Sequence, residues 1–245
     1  MDISPGKLLE LHSFMDALEP GGPPRAAFLR RAAEGLSRPC GSLVVMDASF
    51  NPMTVAHEAM LFRASESFRA GEALLMLSHA NVDKAVYGAS LPQRLAMLDY
   101  YAKPFPNVSV VGCSHARFVD KAIALRPLYP ESTGLYFVVG YDTLLRIFDP
   151  RYYSNFEDEL AALFDCACVI AANRDDIDAE AMRKLVKGPE FAAFSDRIRF
   201  IGLDRAHSRI SSTQVRALRK RGAAVGHLVP TRIAEAMDAL DLYRD

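Results

Sequence analysis

The amino-acid sequence predicts an α/β fold, a doubly wound parallel sheet with an N-terminal helical extension. Two observations lead to this prediction. Short runs that are almost wholly apolar, such as Ser42 to Ala48 (SLVVMDA), are typical of strands covered on both faces. These runs alternate about six times with stretches of helical periodicity, which favours parallel strands joined by right-handed crossovers.

The elements can be predicted in chain order. The first 40 residues are expected to form a helical extension packed on a main α/β domain of residues 41–245, with helical spacing over 4–36 interrupted at Pro20-Gly21-Gly22-Pro23-Pro24. Strands are predicted over 42–48, 73–78, 108–111, 135–140, 166–171 and 198–201. Helices are predicted over 54–70, 92–102, 115–125, 143–148, 179–186, 212–221 and 231–240.

Composition and charge exclude several classes of protein. The chain has 29 basic and 30 acidic residues, so it has no global attraction for nucleic acid or membranes, and any anionic ligand must be held locally. No apolar stretch approaches the roughly 20 residues of a membrane span, and a soluble protein of the cytoplasm or nucleus is expected. Four cysteines lack zinc or redox spacing and are predicted to be reduced, with Cys166 and Cys168 on one strand face. They are Cys40, Cys113, Cys166 and Cys168.

The loop after the first main-domain strand is a candidate anion site. In a doubly wound sheet, ligands bind outside the carboxyl ends of the strands. Thr54 is a plausible N-cap here, and His57 would then lie in the first helical turn, where its imidazole can donate to a phosphate oxygen. The alternative is that Thr54 only caps a helix and His57 lies on its surface.

The loop after the last strand has the same character. Ser211 and Gln214 fit a capping box, which would place Ser212 and Thr213 at a helix start and Arg216 one turn further along. The Arg216 guanidinium could reach back to a phosphate held there. A well-capped helix with a solvated arginine is the alternative, but two such helix starts in one chain favour a shared phosphate site.

Four ordered segments resemble nicotinamide or nicotinate mononucleotide adenylyltransferases of the nucleotidyltransferase superfamily. Ser49-Phe50-Asn51-Pro52-x-Thr54-x-x-His57 resembles their first signature, in the form with threonine in place of the first of two histidines. Ile210 to Arg216 resembles the second, and Gly226 to Pro230 continues it. Gly140 to Leu144 and Asn173 to Asp175 resemble two intervening segments, so the likeness spans about residues 42–235 and is nearest to the eukaryotic and fungal form.

The resemblance implies a Rossmann-like nucleotidyltransferase that transfers the adenylyl group of ATP to nicotinamide or nicotinate mononucleotide, with release of pyrophosphate, in NAD biosynthesis. It implies Mg²⁺ held through the phosphates without protein metal ligands, no nucleic-acid or membrane partner, and it allows a homo-oligomer. His57, Arg216 and Lys84 are the catalytic candidates. The ATP-binding candidates are Ser49, Phe50, Thr54, His57, Gly140, Asp142, Ser211, Ser212, Thr213 and Arg216. The mononucleotide-binding candidates are Ser49, Asn51, Lys84, Arg94, Phe148 and Arg174.

Three departures from the family pattern keep other functions open. Ala48, preceded by Asp47, replaces a glycine that approaches phosphate, and Tyr87 to Ser90 thins a basic cluster. The chain has no tryptophan, so base stacking would fall to phenylalanine or tyrosine. The stacking candidates are Phe50, Tyr141, Phe148, Tyr152 and Tyr153. The alternatives are a nucleotidyltransferase with another phosphorylated acceptor and a non-catalytic nucleotide-binding regulatory protein.

Overall fold

The fold is taken from a computed structural model that describes most of the chain. The described residues are 3–36, 41–79, 88–173, 180, 182, 184, 186–188 and 191–244. Three residues with a predicted role, Cys40, Lys84 and Arg174, lie outside them, as does half of the predicted helix over 179–186.

Seven strands form one sheet in the described part of the chain. They are β1 Ala26–Arg30, β2 Ser42–Asp47, β3 Glu72–Ser78, β4 Val108–Cys113, β5 Gly134–Gly140, β6 Cys168–Ala172 and β7 Ile198–Ile201. The order is β1-β4-β3-β2-β5-β6-β7, and all neighbours are parallel except β1 and β4. The predicted doubly wound parallel sheet is confirmed. Strand order reverses between β2 and β5, and the carboxyl ends of these two strands therefore open a crevice.

Helices cover both faces of this sheet. They are α1 Pro5–Asp16, α2 Val55–Ser67, α3 Leu91–Ala102, α4 Phe118–Leu125, α5 Tyr141–Ile147, α6 Phe156–Cys166, α7 Arg205–Ser208, α8 Ser212–Lys220 and α9 Thr231–Ala239. Short 3-10 turns occur at Arg126–Leu128, Pro150–Tyr152 and Ala192–Arg197.

The central strand β2 contributes to two apolar cores. Val44 and Met46 belong to the core formed with α1, α2, α3 and α9, whereas Leu43 and Val45 belong to the core formed with α4, α5 and α6. Successive side chains of a strand point to opposite faces, so a strand buried on both faces must be apolar throughout. None of the helices in the described ranges combines the length and apolarity that crossing a membrane requires.

The N-terminal extension is only half helical. Helix α1 forms as predicted and packs on α3 and β4, but residues 26–30 form strand β1, so the prediction of helix beyond Pro24 is wrong. The edge of β4 offers unpaired backbone groups, and this apolar segment satisfies them by antiparallel pairing. The extension is tied down further on, where Leu36 N–H donates to the buried Glu72 carboxylate at 2.8 Å.

Helix α6 was not predicted, although its signals are present in the sequence. Asn155 caps it, three acidic residues fill its first turn, and Leu160 and Leu163 lie at helical spacing. Cys166 ends this helix and its thiol donates to Ala162 O, so the prediction that Cys166 shares a strand face with Cys168 is wrong. Cys113, Cys166 and Cys168 are free thiols, as predicted.

Candidate functional site

A cavity of about 410 Å³ opens at the carboxyl ends of the parallel strands, where the strand order reverses. Its volume is in the range of small-molecule sites, about 300 to 1,000 Å³. It is lined by the loop after β2, the starts of α2, α4 and α5, the ends of β5 and β6, and the segment from α7 to α8. Polar or titratable lining residues include Asp47, Ser49, Thr54, His57, Arg117, Lys121, Thr143, Arg146, Tyr152, Tyr153, Asn173, His207, Ser208, Ser211, Ser212, Thr213 and Arg216.

Helix α2 begins with a capping box in which histidine takes the usual place of glutamate or glutamine. Thr54 Oγ1 accepts from the His57 backbone N–H, and His57 Nδ1 accepts from the Thr54 backbone N–H at 3.0 Å. Because Nδ1 is an acceptor, the ring proton lies on Nε2, which is the donor left for a ligand. The predicted N-cap and the first-turn position of His57 are confirmed.

The imidazole of His57 is neutral at neutral pH. It is half-buried, with its ring 5.5 Å from that of Phe50, and burial lowers its pKa from the usual 6.5 to about 4. The Val55 N–H donates to Leu228 O, so the first amides of α2 are largely used within the protein. Helix α2 therefore offers a ligand one imidazole N–H rather than a set of open backbone amides.

The depressed pKa makes a prediction about stability. Between pH 6.5 and about 4, the unfolded chain protonates residue 57 while the folded protein does not, so the free energy of unfolding should fall as pH falls. The loss from this residue should reach at most about 3 kcal/mol. Denaturant unfolding at pH 7 and pH 4.5 should show a smaller drop for His57→Gln, which keeps the capping box, than for the wild type. Equal drops for the two proteins would contradict the assignment.

Helix α8 provides the second predicted helix start. Ser211 is its N-cap and accepts from the Gln214 backbone N–H at 3.2 Å. The backbone N–H groups of Ser212 and Thr213, at the first two helical positions, have no partner within the helix. Both residues line the same cavity as His57.

Direct hydrogen bonds join the two helix starts. Ser212 Oγ donates to Pro52 O at 2.7 Å, and Arg216 Nη1 donates to Asn51 O at 2.7 Å. Arg216 Nη2 also donates to Thr213 Oγ1 at 3.3 Å. The guanidinium of Arg216 and the imidazole of His57 therefore face one cavity, as a shared phosphate site requires.

Most of the predicted ATP-binding residues lie around this cavity. Those that line it are Ser49, Thr54, His57, Gly140, Ser211, Ser212, Thr213 and Arg216. Asp142 lies in the first turn of α5 outside the lining, and Phe50 is buried beneath His57. Of the five aromatic residues predicted for base stacking, Tyr152 and Tyr153 line the cavity.

Three residues predicted to bind the mononucleotide are buried outside the cavity lining and contact other parts of the protein. Asn51 and Arg94 are buried and support the loop after β2: Asn51 Oδ1 accepts from Ala89 N–H at 3.1 Å, and Arg94 Nε donates to Ala89 O at 2.7 Å. Phe148 packs in the apolar core against three other phenylalanines. Contacts with residues distant in the chain bury these three side chains, and no local sequence pattern predicts such contacts.

The cavity also holds a buried ion pair that was not predicted. Lys121 Nζ lies 2.6 Å from Asp47 Oδ2, and Ser78 Oγ donates to Asp47 Oδ1 at 2.9 Å. The Lys121 side chain is 3% exposed, within a helix whose neighbouring positions are mostly apolar. A buried lysine in such a helix needs a charged partner, so its position among apolar residues was the sequence signal from which the ion pair could have been predicted.

The pair explains how the chain tolerates its departure from the family pattern. Asp47 brings a negative charge to a loop expected to meet phosphate, and Lys121 neutralises it. Ala48 is not among the residues with positive φ, so its Cβ is accommodated without backbone strain. Next to the pair, Arg117 donates to Asp120 at 2.9 Å and contacts Glu159.

Comparison with known proteins gives relatives over most of the chain. No family model matches the chain. It is 29% identical over 218 residues to a putative nicotinamide mononucleotide adenylyltransferase of Schizosaccharomyces pombe, covering 82% of this chain and 86% of the relative. It is 27% identical over 213 residues to a probable nicotinate-nucleotide adenylyltransferase of Aeromonas hydrophila, covering 82% and 96%.

A solved structure shares the fold. Plasmodium falciparum nicotinic acid mononucleotide adenylyltransferase complexed with NaAD matches with a TM-score of 0.60 and 18% identity, over 83% of this chain and 97% of that one. The chain is thus a homologue of the nicotinamide and nicotinate mononucleotide adenylyltransferases with a Rossmann-like nucleotidyltransferase fold, as its motifs predict.

Proposed function

We propose that the protein transfers the adenylyl group of ATP to nicotinamide or nicotinate mononucleotide and so forms a dinucleotide in NAD biosynthesis. The observation that carries the proposal is the single cavity shared by His57 of α2 and Arg216 of α8. An imidazole N–H donor and a guanidinium cation, from distant parts of the chain, line one space that is large enough for a nucleotide. The names of the relatives support the same reaction.

The reaction needs alignment and charge stabilisation more than a base. The 5′-phosphate oxygen of the mononucleotide attacks the α-phosphorus of ATP, a new P–O bond forms, and the bond to the β-phosphate oxygen breaks to release pyrophosphate. A phosphate monoester has its second pKa near ~6, so the attacking oxygen is already ionised at neutral pH. What remains for the protein is to hold the two phosphates in line and to stabilise the developing charge.

The described residues can divide this work. The amides of Ser212 and Thr213 and the guanidinium of Arg216 suit the β- and γ-phosphates, because a helix N-terminus and a planar cation favour phosphate oxygens. His57 Nε2–H donates to a phosphate oxygen near the reacting centre. Mg²⁺ would be held through phosphate oxygens and would neutralise their charge, since Asp47, the carboxylate among the described lining residues, is paired with Lys121.

The end of the cavity beside α4 suits the acceptor. Phe118 of α4 offers aromatic surface there, and the Asp47–Lys121 pair places an acceptor oxygen next to a donor nitrogen. A carboxamide carries both a donor and an acceptor and can bond to both groups of the pair, whereas the carboxylate of the nicotinate form offers acceptors only and cannot donate to Asp47. These groups favour the amide mononucleotide as the better acceptor.

Side-by-side assays test the proposal. Purified protein with Mg²⁺ and ATP should release pyrophosphate and form a dinucleotide with nicotinamide mononucleotide, and more slowly with nicotinate mononucleotide. Nicotinamide riboside is the matched control, because it lacks the attacking phosphate and should give no product. Turnover only with a different phosphorylated acceptor, such as a phosphopantetheine, would assign another nucleotidyltransferase reaction. ATP binding without pyrophosphate release from any acceptor would indicate a non-catalytic regulatory protein.

A further inference from the structure

The segment after α9, residues 240–244, turns back from the helix towards the loop after β2. Arg219 of α8 holds it by donating from Nε to Leu242 O at 2.8 Å, and Arg219 Nη2 donates to Asp238 Oδ1 in α9 at 2.8 Å. At its end, the Tyr243 hydroxyl donates to Asn51 Oδ1 at 2.8 Å. The segment is therefore bonded both to helix α8, which carries Arg216, and to the loop that carries Asn51.

Asn51 connects this segment to the cavity. Its side-chain oxygen accepts from Tyr243 and from the Ala89 N–H, and its main-chain oxygen accepts from Arg216 Nη1 at 2.7 Å. Arg216 lines the cavity, whereas Asn51 and Tyr243 do not. Moving the Asn51 side chain would shift the carbonyl that holds the guanidinium.

The surroundings of Tyr243 are built for this contact. Asp241 and Tyr243 have φ values of 48° and 61°, a left-handed conformation that is uncommon for residues with a Cβ. Gly88, with φ of 86°, lies under the ring, and a Cβ at Gly88 would come within 2.9 Å of Tyr243 Cε1 and of Asn51 Oδ1. Burial also raises the pKa of the Tyr243 hydroxyl, which keeps it a protonated donor.

We propose that Tyr243 is a positioning residue for adenylyl transfer, which acts through Asn51 to set the Arg216 guanidinium against the ATP phosphates. The inference rests on the proposed function. In this proposal, residues 240–244 link helix α8 to the loop before α2 and so hold the two helix starts of the phosphate site together. Tyr243 is not among the described residues that line the cavity, and the hydrogen-bonded route from its hydroxyl to Arg216 runs through Asn51.

Tyr243→Phe tests the inference with the loss of a single hydroxyl. The KM for ATP should rise about 3- to 10-fold, the change that corresponds to one hydrogen bond, while the KM for the mononucleotide stays unchanged. Arg216→Ala should raise the KM for ATP further in the same direction. The matched control is Tyr100→Phe, which removes a hydroxyl bonded to Glu235 outside the cavity and should leave both KM values unchanged.

Two further measurements separate positioning from simple stabilisation. In an Asn51→Ala background, Tyr243→Phe should have no additional effect on the KM for ATP, because the connection is already cut. Equilibrium binding of Mg-ATP should weaken by the same factor as the KM rises, and this binding can be measured even if no acceptor gives turnover. Failure of the wild type to make a dinucleotide would overturn the proposed function alone. Lower thermal stability of Tyr243→Phe with unchanged ATP binding would overturn the role of Tyr243.

Discussion

Replacing His57 with alanine is expected to lower kcat by about 10² to 10³-fold, as loss of one fixed donor to a developing oxyanion does. The structure fixes the imidazole by its Nδ1 bond to the Thr54 N–H, so Nε2–H is held in place without reorganisation during the reaction. With the ring neutral at pH 7, its contribution is a directed hydrogen bond rather than a full charge. Initial-rate measurements at saturating ATP and mononucleotide give the effect on kcat directly.

The stability cost of the same substitution can be separated from its catalytic cost. His57→Ala also removes half of a capping box, which is worth about 1 kcal/mol. Helix α3 contains an equivalent box formed by Ser90 and Gln93 away from the cavity lining, so Gln93→Ala is the matched control. Both variants should lose similar stability, but only His57→Ala should lose turnover. If the two variants keep equal kcat, His57 has no part in the chemistry.

The parts of the fold that the sequence predicted are those set by local pattern. Strand β2 could be assigned because both of its faces are buried and its run is continuously apolar. Strand β1 could not, since an isolated apolar segment after Pro24 becomes a strand only through pairing with β4, which is 80 or more residues away in the chain. Helix α6 is a different case, because its cap and acidic first turn were local signals that were missed.

In the site, too, the features set by local sequence could be predicted, and the contacts between distant residues could not. Caps at Thr54 and Ser211 are local, so both helix starts and the residues on them were predicted correctly in position. The partners of Asp47 and Asn51 are not local: Lys121 is 74 residues from Asp47, and Tyr243 is 192 residues from Asn51. Sequence spacing gives no measure of such contacts, which arise from the strand order and from the return of the chain after α9.

Replacing Lys121 with methionine is expected to destabilise the protein by about 3 to 5 kcal/mol, the cost of leaving a buried carboxylate without its partner. The two side chains are 3% and 14% exposed, so water replaces only part of the lost ammonium of Lys121 beside Asp47. Lys7→Met is the matched control, because Lys7 forms an ion pair with Glu10 at 2.7 Å, close to the 2.6 Å between Lys121 and Asp47, but with side chains 27% and 64% exposed. That exposed pair should contribute less than about 1 kcal/mol. Denaturant unfolding of both variants measures the difference.

A double variant shows whether the stability loss of Lys121→Met comes from the unpaired charge of Asp47 or from the lost packing of the Lys121 side chain. Asparagine at position 47 is neutral and can still accept from Ser78, so Asp47→Asn in the Lys121→Met background should recover most of the lost stability.

Turnover gives a second measurement of the effect of the unpaired charge. In Lys121→Met the unpaired carboxylate faces the cavity that holds the phosphates, and the KM for the mononucleotide should rise, whereas the neutral double variant should bring it back towards the wild-type value. If Lys121→Met is no less stable than Lys7→Met, the pair is not what allows a carboxylate at Asp47 beside the phosphate-binding loop.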